Sequence, residues 1–395
     1  MKLCVVTATR AEFGLLSGVM ELIESDASLE LQVVVTGAHL MEEFGHTVDA
    51  VRSAGFAVSA EVTEITSAET NADVAHQVGA GISGFTKALG SLTPDAIVIL
   101  GDRYEMLAAA VAAFFLGIPI VHLHGGEVTE GAFDDSIRHA ITKFSQVHCV
   151  AAPEYKRRVV QLGESPETVH VVGGLGVDQI HRTMLLGRDD VETQLELSLS
   201  NPSFLVTYHP ETEGHRSVAE DLGEVVSALE SFPEATVVFT MPNADPGHHI
   251  VAAMLQDSVH RHQGRWHLFA ALGRLRYLSL AQHVDVVLGN SSSGLLEIPS
   301  LKKPTVNIGN RQSGRLQALS VINAKPHSVE ITQAIGVALS EHFRATLANV
   351  VNPYGAPGAS KRIVNLLLDT NFGTLPLKSF YDVGPSRGWS DNGST

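Results

Sequence analysis

Cysteine is scarce in this sequence of 395 residues, which contains only Cys4 and Cys149. Each of them lies in a short apolar run that is typical of a buried β-strand. This scarcity argues against the disulfide framework that small secreted domains use in place of a large core. The pattern favours a reducing compartment, and we expect a cytoplasmic location.

Positive charge is also in short supply. The chain has 27 Lys and Arg residues against 43 Asp and Glu residues, which gives a formal net charge of -16. A general nucleic-acid-binding protein needs a basic face, so we expect no nucleic acid partner. A few local arginines can still hold a small anionic ligand.

No uninterrupted apolar run is long enough for a membrane span, which needs about 20 residues. The longest run, residues 106–121, is broken by Gly117 and Pro119 and is followed by His122 and His124. It is better interpreted as an Ala-rich buried helix, a turn and a buried strand, so no membrane partner is expected. The start, MKLCVVTATR, has too short an apolar stretch for an export signal and predicts a first strand.

Short β-branched runs alternate with helix-length segments along most of the chain, a pattern that predicts βαβ units and parallel sheets. The predicted strands are 2–7, 31–36, 95–100, 118–123, 146–151, 169–173, 203–208, 235–240, 266–269, 284–288 and 304–308. The length favours two domains. The glycines near 174 mark the end of the first sheet, so we expect domains of residues 1–178 and 179–357. The fold class is α/β, with two doubly wound, Rossmann-like domains facing a cleft.

Polar residues follow nearly every predicted strand, where ligands of doubly wound sheets bind. In the first half these residues are Arg10, Asp102, Arg103, His124, Glu127, Asp134 and Arg138. In the second half they are His209 and Asn243, followed by the segment GNSSSGLLEIPSLKKPTVNIGNRQSGR. A purely structural α/β protein would not need such clusters.

The segment GNSSSG, residues 289–294, predicts a seat for a diphosphate. The first N–H groups of a helix are unpaired and favour an anion, and Ser291, Ser292 and Ser293 add hydroxyl donors beside Gly294. The positions that complete a nucleotide site are Glu297, which can accept from ribose hydroxyls, and Arg311 and Arg315, which can neutralise phosphate charge or reach the base. Serines at a helix start are more often simple caps, and single charged residues more often face solvent. Only the combination favours a nucleoside diphosphate.

Metal binding is not expected. His122 and His124 are two residues apart on a predicted strand and would point to the same face. However, no compact set of further ligands accompanies them in the sequence. We therefore expect neither a metal nor another cofactor.

The ordered motifs resemble the UDP-N-acetylglucosamine 2-epimerase family over about residues 1–370. They are TATRAEFG (7–14), LGDRYE (100–105), HLHGGE (122–127), DDSIRH (134–139), HPET (209–212), PNAD (242–245), GNSSSG (289–294), RQSGR (311–315) and NPYG (352–355). The resemblance implies two Rossmann-like domains similar to B-type glycosyltransferases. It also implies a final helix, within 358–372, that returns to the first domain before a tail of residues 373–395. A homodimer or homotetramer is expected from the same resemblance.

The family has a non-hydrolysing branch and a hydrolysing branch, which releases UDP and a free manno-configured sugar. HGGE, NSSSG and RQSGR look like the hydrolysing branch. Many relatives carry an acid at the position of His124, and here Glu127 is the nearest carboxylate.

The resemblance implies a hydrolysing UDP-N-acetylglucosamine 2-epimerase that acts by anti elimination to a 2-acetamidoglucal and then adds water. The product, N-acetylmannosamine, would serve sialic-acid-type biosynthesis. The expected catalytic residues are Asp102, Glu127, Asp134, His209, Arg138 and His124. The expected UDP-sugar-binding residues are Arg10, Arg103, Asn243, Ser291, Ser292, Ser293, Gly294, Glu297, Arg311 and Arg315. The sequence does not assign which carboxylate is base and which is acid.

Other interpretations remain open. One is a hydrolysing 2-epimerase of UDP-N,N′-diacetylbacillosamine, as in legionaminic-type pathways, because the motifs do not distinguish sugars that differ at C4 and C6. The non-hydrolysing branch is disfavoured by the motifs. A catalytically inactive UDP-sugar-binding protein is disfavoured by the three retained carboxylates, and a glycosyltransferase would need an acceptor site.

Overall fold

The computed structural model describes residues 1–67, 70–128, 133–210, 217–242, 248–375 and 378–384. The chain forms two compact units, one of Met1–Asp178 with Ala356–Thr395 and the other of Gln179–Gly355. The domain boundaries expected from the sequence, at 178/179 and 357/358, stay a prediction.

The first unit contains a parallel sheet. Its strands are β1 (Lys2–Thr7), β2 (Glu30–Thr36), β3 (Val58–Val62), β4 (Ala96–Leu100), β5 (Ile120–Leu123), β6 (Val147–Val150) and β7 (Val169–Val171). Among the described residues they lie in the order β3-β2-β1-β4-β5-β6-β7. β1, β4 and β5 are apolar almost throughout and buried, as expected for strands covered by helices on both faces.

Helices follow most of these strands. They are α1 (Arg10–Glu24), α2 (Val48–Ser53), α3 (Asn71–Leu92), α4 (Tyr104–Phe115), α5 (Phe133–Phe144), α6 (Pro153–Gln161) and α7 (Leu175–Arg182). α1 begins with a capping box, in which the Thr9 side chain accepts from the backbone of Glu12 and the Glu12 side chain accepts from the backbone of Thr9.

The second unit repeats the architecture. Its strands are β8 (Ser203–Thr207), β9 (Thr236–Thr240), β10 (Trp266–Phe269), β11 (Val286–Gly289), β12 (Thr305–Ile308) and β13 (Val321–Ala324). In the described part of this unit they form a parallel sheet in the order β10-β9-β8-β11-β12-β13. Its helices are α8 (Arg188–Leu195), α9 (Val218–Glu230), α10 (His248–Arg261), α11 (Gly273–His283), α12 (Ser293–Leu296), α13 (Ser328–Leu339) and α14 (Glu341–Thr346).

The predicted final helix is present as α15 (Ala359–Asp369) and belongs to the first unit. Ile363, Val364 and Leu367 are buried in the same core as Leu16 and Met20 of α1. Asp178 accepts from the backbone N–H groups of Gly358 and Ser360 and so caps the start of α15.

The predicted fold class is confirmed, because both sheets are parallel and covered by helices in the manner of Rossmann-like domains. All the strands predicted from sequence are present, with ends that shift by one or a few residues. β3 and β13 were not predicted. Within the described ranges, no helix combines the length and the apolar character that crossing a membrane requires.

Candidate active site

In the first unit the candidate residues lie where the strand order reverses. β1 and β4 are neighbours, and the chain leaves them toward opposite ends of the sheet order. Such a switch point leaves a crevice at the carboxyl ends of the strands, where ligands of open α/β sheets bind. Arg10 begins α1 directly after β1, and Asp102 and Arg103 follow β4.

Arg138 connects three candidate segments of this unit. Its side chain is 3% exposed, and it forms a close ion pair with Asp102. Its Nη1 atom donates to the Glu127 carbonyl oxygen at 2.7 Å and to Asp135 Oδ1 at 3.2 Å. The prediction that Arg138 is catalytic stays a prediction. The structure gives it direct bonds to the loops after β4 and β5, so it joins these loops to α5.

Asp134 and Asp102 interact as like charges. Burial raises the pKa of Asp134, and the nearby Asp102 carboxylate raises it further, while Arg138 opposes the shift. Asp102 has the buried guanidinium of Arg138 as a partner. The two carboxyl groups therefore have unlike surroundings.

His124 and Glu127 form a second pair beside this cluster. His124 Nδ1 lies 2.8 Å from Glu127 Oε1, and the Leu175 N–H donates to His124 Nε2 at 3.3 Å. Because Nε2 is an acceptor, the neutral ring carries its proton on Nδ1. Nδ1–H therefore donates a hydrogen bond to Glu127 Oε1. His124 has a φ of 63°, a left-handed conformation that is rare for a residue with a side chain.

The backbone between them turns on Gly126, which has a φ of 77°. A Cβ atom at this position would press against the carbonyl oxygen of Tyr155, so only glycine fits. The HGGE motif thus has a structural reason for its second glycine.

Arg103 contacts two buried acids, Glu105 and Glu12. Its guanidinium donates to both carboxylate oxygens of Glu105, at 3.1 and 2.6 Å, and lies 3.9 Å from Glu12. Burial raises the pKa of Glu12 to about 7, although Arg103 and the backbone N–H groups of Ala8 and Thr9 oppose the shift. The prediction that Arg103 binds substrate stays a prediction, and its contacts give it a role in holding the loop after β4.

In the second unit, Asn290 joins the ends of three strands. Its side chain accepts from the His209 N–H at 2.7 Å and donates to the His209 carbonyl oxygen at 2.8 Å. Its own carbonyl oxygen accepts from Gln312 Nε2 at 2.8 Å and from Arg311 Nη1 at 3.4 Å. These bonds place His209, Asn290 and Arg311 together at the switch point between β8 and β11.

The serine segment differs from the expected helix start. Ser291 and Ser292 precede α12, which is a single turn of four residues, Ser293–Leu296. So short a helix has little macrodipole, because the dipole is a sum over aligned peptide groups. An anion here would depend on the serine hydroxyls and on individual N–H groups beside the buried Gly294.

Glu297 is held at both carboxylate oxygens. Ser293 Oγ donates to Oε2 at 2.6 Å, and Arg274 Nη1 lies 3.0 Å from Oε1. Each oxygen of a carboxylate has two acceptor positions, so both can still accept from further hydroxyls. The two partners fix the direction in which Glu297 presents them.

The remaining residues predicted to bind the UDP-sugar differ in how exposed they are. Arg10 and Arg311 are exposed, and Arg315 is half-buried in the loop after β12. Asn243 lies outside the described residues, so its prediction has no structural counterpart here. In the described segments no group of three His, Cys, Asp or Glu side chains has the arrangement of a metal site.

Two residues in these networks were missed by sequence reasoning. Gln312 lies within the RQSGR motif, so a signal was present, but the arginines attracted the interpretation. Arg274 gave no signal, because it lies on α11 and is 23 residues away from Glu297 along the chain. Only the tertiary fold brings it to that carboxylate.

Two Rossmann-like units with polar clusters at both switch points define a class, that of enzymes acting on nucleotide-linked substrates. The family described as UDP-N-acetylglucosamine 2-epimerase matches residues 21–368. A relative from Campylobacter jejuni, GDP/UDP-N,N′-diacetylbacillosamine 2-epimerase (hydrolyzing), is 37% identical over 97% of this chain and 99% of its own. An Escherichia coli relative, polysialic acid biosynthesis protein P7, is 32% identical over 97% of each chain.

A solved structure gives the same result for the fold. UDP-GlcNAc 2-epimerase from Neisseria meningitidis, bound to UDP-GlcNAc, has a TM-score of 0.73 at 20% identity, over 94% of this chain and 100% of that one. The chain belongs to the UDP-N-acetylglucosamine 2-epimerase family and is an epimerase of its hydrolysing branch. The resemblance found in the sequence is thereby confirmed.

Proposed function

We propose that this protein hydrolyses UDP-N,N′-diacetylbacillosamine with inversion at C2, releasing UDP and the free manno-configured sugar. The observation that carries the proposal is the 37% identity, over almost the full length of both chains, to an epimerase named for that sugar. UDP-N-acetylglucosamine is the second candidate, favoured by the family description and by the 32% identical polysialic acid protein.

The proposed reaction has two steps. A base removes the C2 proton, the C2–H electron pair forms a C1=C2 double bond, and the C1–O bond breaks to release UDP. Water then adds across the double bond, with a proton delivered to C2 and hydroxide to C1. The sum is sugar nucleotide plus water giving UDP and the free sugar.

The geometry supports Asp102 as the base and Asp134 as the proton donor of the second step. The buried Arg138 guanidinium pairs with Asp102 and holds its carboxylate in a fixed position, from which it can accept a proton. Burial and the nearby Asp102 carboxylate raise the pKa of Asp134, which is the direction that a proton donor requires. Two carboxyl groups with unlike environments are the usual basis for separate acid and base roles.

Glu127, which accepts a hydrogen bond from His124 Nδ1–H, is proposed to contact the sugar next to Asp102 and Asp134. In the second unit, His209, Ser291, Ser292 and Ser293 are proposed to hold the diphosphate. Arg10, Arg311 and Arg315 would supply its counter-charge, with Arg103 and Asn243 as further predicted contacts. Glu297 is proposed to accept hydrogen bonds from the ribose hydroxyls.

Turnover in D2O followed by proton NMR tests the reaction and the substrate. Three parallel samples contain UDP-N,N′-diacetylbacillosamine, its GDP analogue and UDP-N-acetylglucosamine. We expect the first sample to release nucleotide and a free sugar deuterated at C2 at least about tenfold faster than the others. A tenfold rate difference corresponds to the free energy of about one or two polar contacts. Faster turnover of UDP-N-acetylglucosamine would replace the first candidate by the second. A deuterated product that keeps its nucleotide would contradict hydrolysis.

Replacing Glu297 by Gln should weaken UDP binding about tenfold, because the ribose hydroxyls lose a charged acceptor. Calorimetric titration with UDP and with 2′,3′-dideoxy-UDP measures the effect at the ribose itself. The wild type should prefer UDP, and the variant should bind both about equally. Glu341→Gln, an exposed glutamate in the same unit, is the matched control. A variant that retains the full preference for UDP would contradict the ribose role.

A further inference from the structure

The described end of the chain, residues 378–384, lies on the C-terminal end of α5. Lys378 Nζ donates to the carbonyl oxygens of Thr142, Lys143 and Ser145 at 2.9, 2.7 and 2.6 Å. Carbonyls at the end of a helix have no partners further along it, and a cation there complements the negative end of the dipole. A residue more than 230 positions away therefore completes the end of α5.

The same ammonium group reaches a buried carboxylate. Lys378 Nζ lies 2.8 Å from Oε2 of Glu164, whose side chain is 2% exposed. Burial opposes ionisation of Glu164, but hydrogen bonds from His148, Lys143 and Lys378 outweigh it and lower the pKa to about 2. Burial lowers the pKa of Lys378 to about 8, and Glu164 limits that shift. At neutral pH both partners are charged, and the partly exposed Lys378 side chain supplies a cation to the buried Glu164 carboxylate.

Three further contacts keep this segment in place. The Tyr381 N–H donates to the Gly163 carbonyl oxygen at 2.8 Å. The Phe380 ring covers Gly163, where a Cβ atom would overlap it, and lies 5.2 Å from Lys143 Nζ. The segment is therefore docked along several residues, and Lys378 is its charged anchor.

α5 carries Asp134 and Arg138 on the turns before this anchor. Arg138 and Thr142 are four residues apart, about 6 Å along the axis, and a helix moves as a rigid rod over that length. We propose that Lys378 is a positioning residue, which sets the axial position of α5 and thereby the position of Asp134 and Arg138 against Asp102. This inference rests on the proposed function for its catalytic consequence.

The test removes the ammonium group and then restores it. Lys378→Met should lower kcat about tenfold to a hundredfold, the cost of misplacing reacting groups by about 1 Å. The Kd for UDP should stay within about twofold, because the affected contacts do not include the proposed nucleotide ligands. Lys378→Cys should show the same loss, and alkylation with 2-bromoethylamine should restore most of kcat. In that reaction the thiolate displaces bromide, which leaves an ammonium group on a side chain of lysine length.

The chain suits this experiment, because Cys4 and Cys149 are fully buried and resist the reagent. Lys87→Met, an exposed lysine on α3, is the charge-matched control and should change nothing. An active wild type with an equally active Lys378→Met variant would overturn the inference. So would a loss of kcat that aminoethylation fails to restore.

Hydrogen exchange of the amides of residues 139–145 provides a readout that does not depend on turnover. Exchange should rise about tenfold or more in Lys378→Met, return toward wild type after aminoethylation of Lys378→Cys, and stay unchanged in Lys87→Met. Unchanged exchange in Lys378→Met would overturn the inference even if the wild type turns over none of the three sugar nucleotides. A wild type that turns over none of the three sugar nucleotides would contradict the proposed function but not the positioning role of Lys378.

Discussion

Replacing Asp102 by Asn should lower kcat at least about a thousandfold while leaving the Kd for UDP within about twofold. The amide keeps the shape of the side chain but cannot take up the C2 proton. It also leaves Arg138, which is 3% exposed, without its closest counter-charge. Stopped assays of nucleotide release and calorimetric UDP titration on the same preparation measure the two effects separately.

Asp135→Asn is the matched control for this variant. Asp135 is also a partner of Arg138, at 3.2 Å, and lies on the same helix as Asp134. If the loss in Asp102→Asn came only from disturbing Arg138, the control should lose activity to a similar degree. We expect a loss of less than about tenfold, since Asp135 has no proposed proton-transfer role. An Asp102→Asn variant that retains a tenth of wild-type turnover would remove Asp102 from the base role.

Gly289→Ala should destabilise the second unit by about 3 to 5 kcal/mol, a size reserved for a few specific mechanisms. Gly289 has a φ of 125°, and a Cβ atom there would overlap the carbonyl of Thr207 on the adjacent β8. The clash is with backbone atoms that are fixed by the pairing of β11 with β8, so a side-chain rotation cannot relieve it. The next residue is Asn290, which joins three strand ends, so UDP binding should fall with stability.

Gly336→Ala is the matched control in the same unit. Gly336 lies in α13, and a Cβ atom there would meet nothing within 4 Å. Alanine in a helix should stabilise the unit by up to about 1 kcal/mol. Urea unfolding and thermal melting of both variants measure the difference. Equal stability of the two variants would contradict the overlap at Gly289.

The sheet edges show what the sequence could not predict about the fold. β3, with the sequence VSAEV, alternates between partly buried and exposed residues before the buried Val62, and β13, VINA, is only partly buried. Both are edge strands, so neither needs the continuous apolar run that revealed the central strands. The central strands, by contrast, are covered on both faces and were visible as β-branched runs.

The candidate site was predictable as a set of segments but not as a network. Motif order indicated that Asp102, Glu127 and Asp134 belong together, and the fold brings their segments to one edge of a sheet. The sequence predicted Arg138 as a catalytic residue, but no motif indicated that its bonds reach the loops after two strands. Arg274 at Glu297 and Lys378 at α5 depend on contacts between distant parts of the chain, which spacing does not encode.

The path of the chain has a consequence for the order in which the protein is made. The core of the first unit includes Ile363, Val364 and Leu367, so its last helix leaves the ribosome after the whole second unit has been synthesised. The second unit is continuous in sequence and can close while translation still proceeds. A nascent chain therefore carries an unfinished first unit, in which the side of α1 that packs against α15 is uncovered. This state lasts for the time needed to add about 180 residues, roughly ten to forty seconds at bacterial and eukaryotic rates.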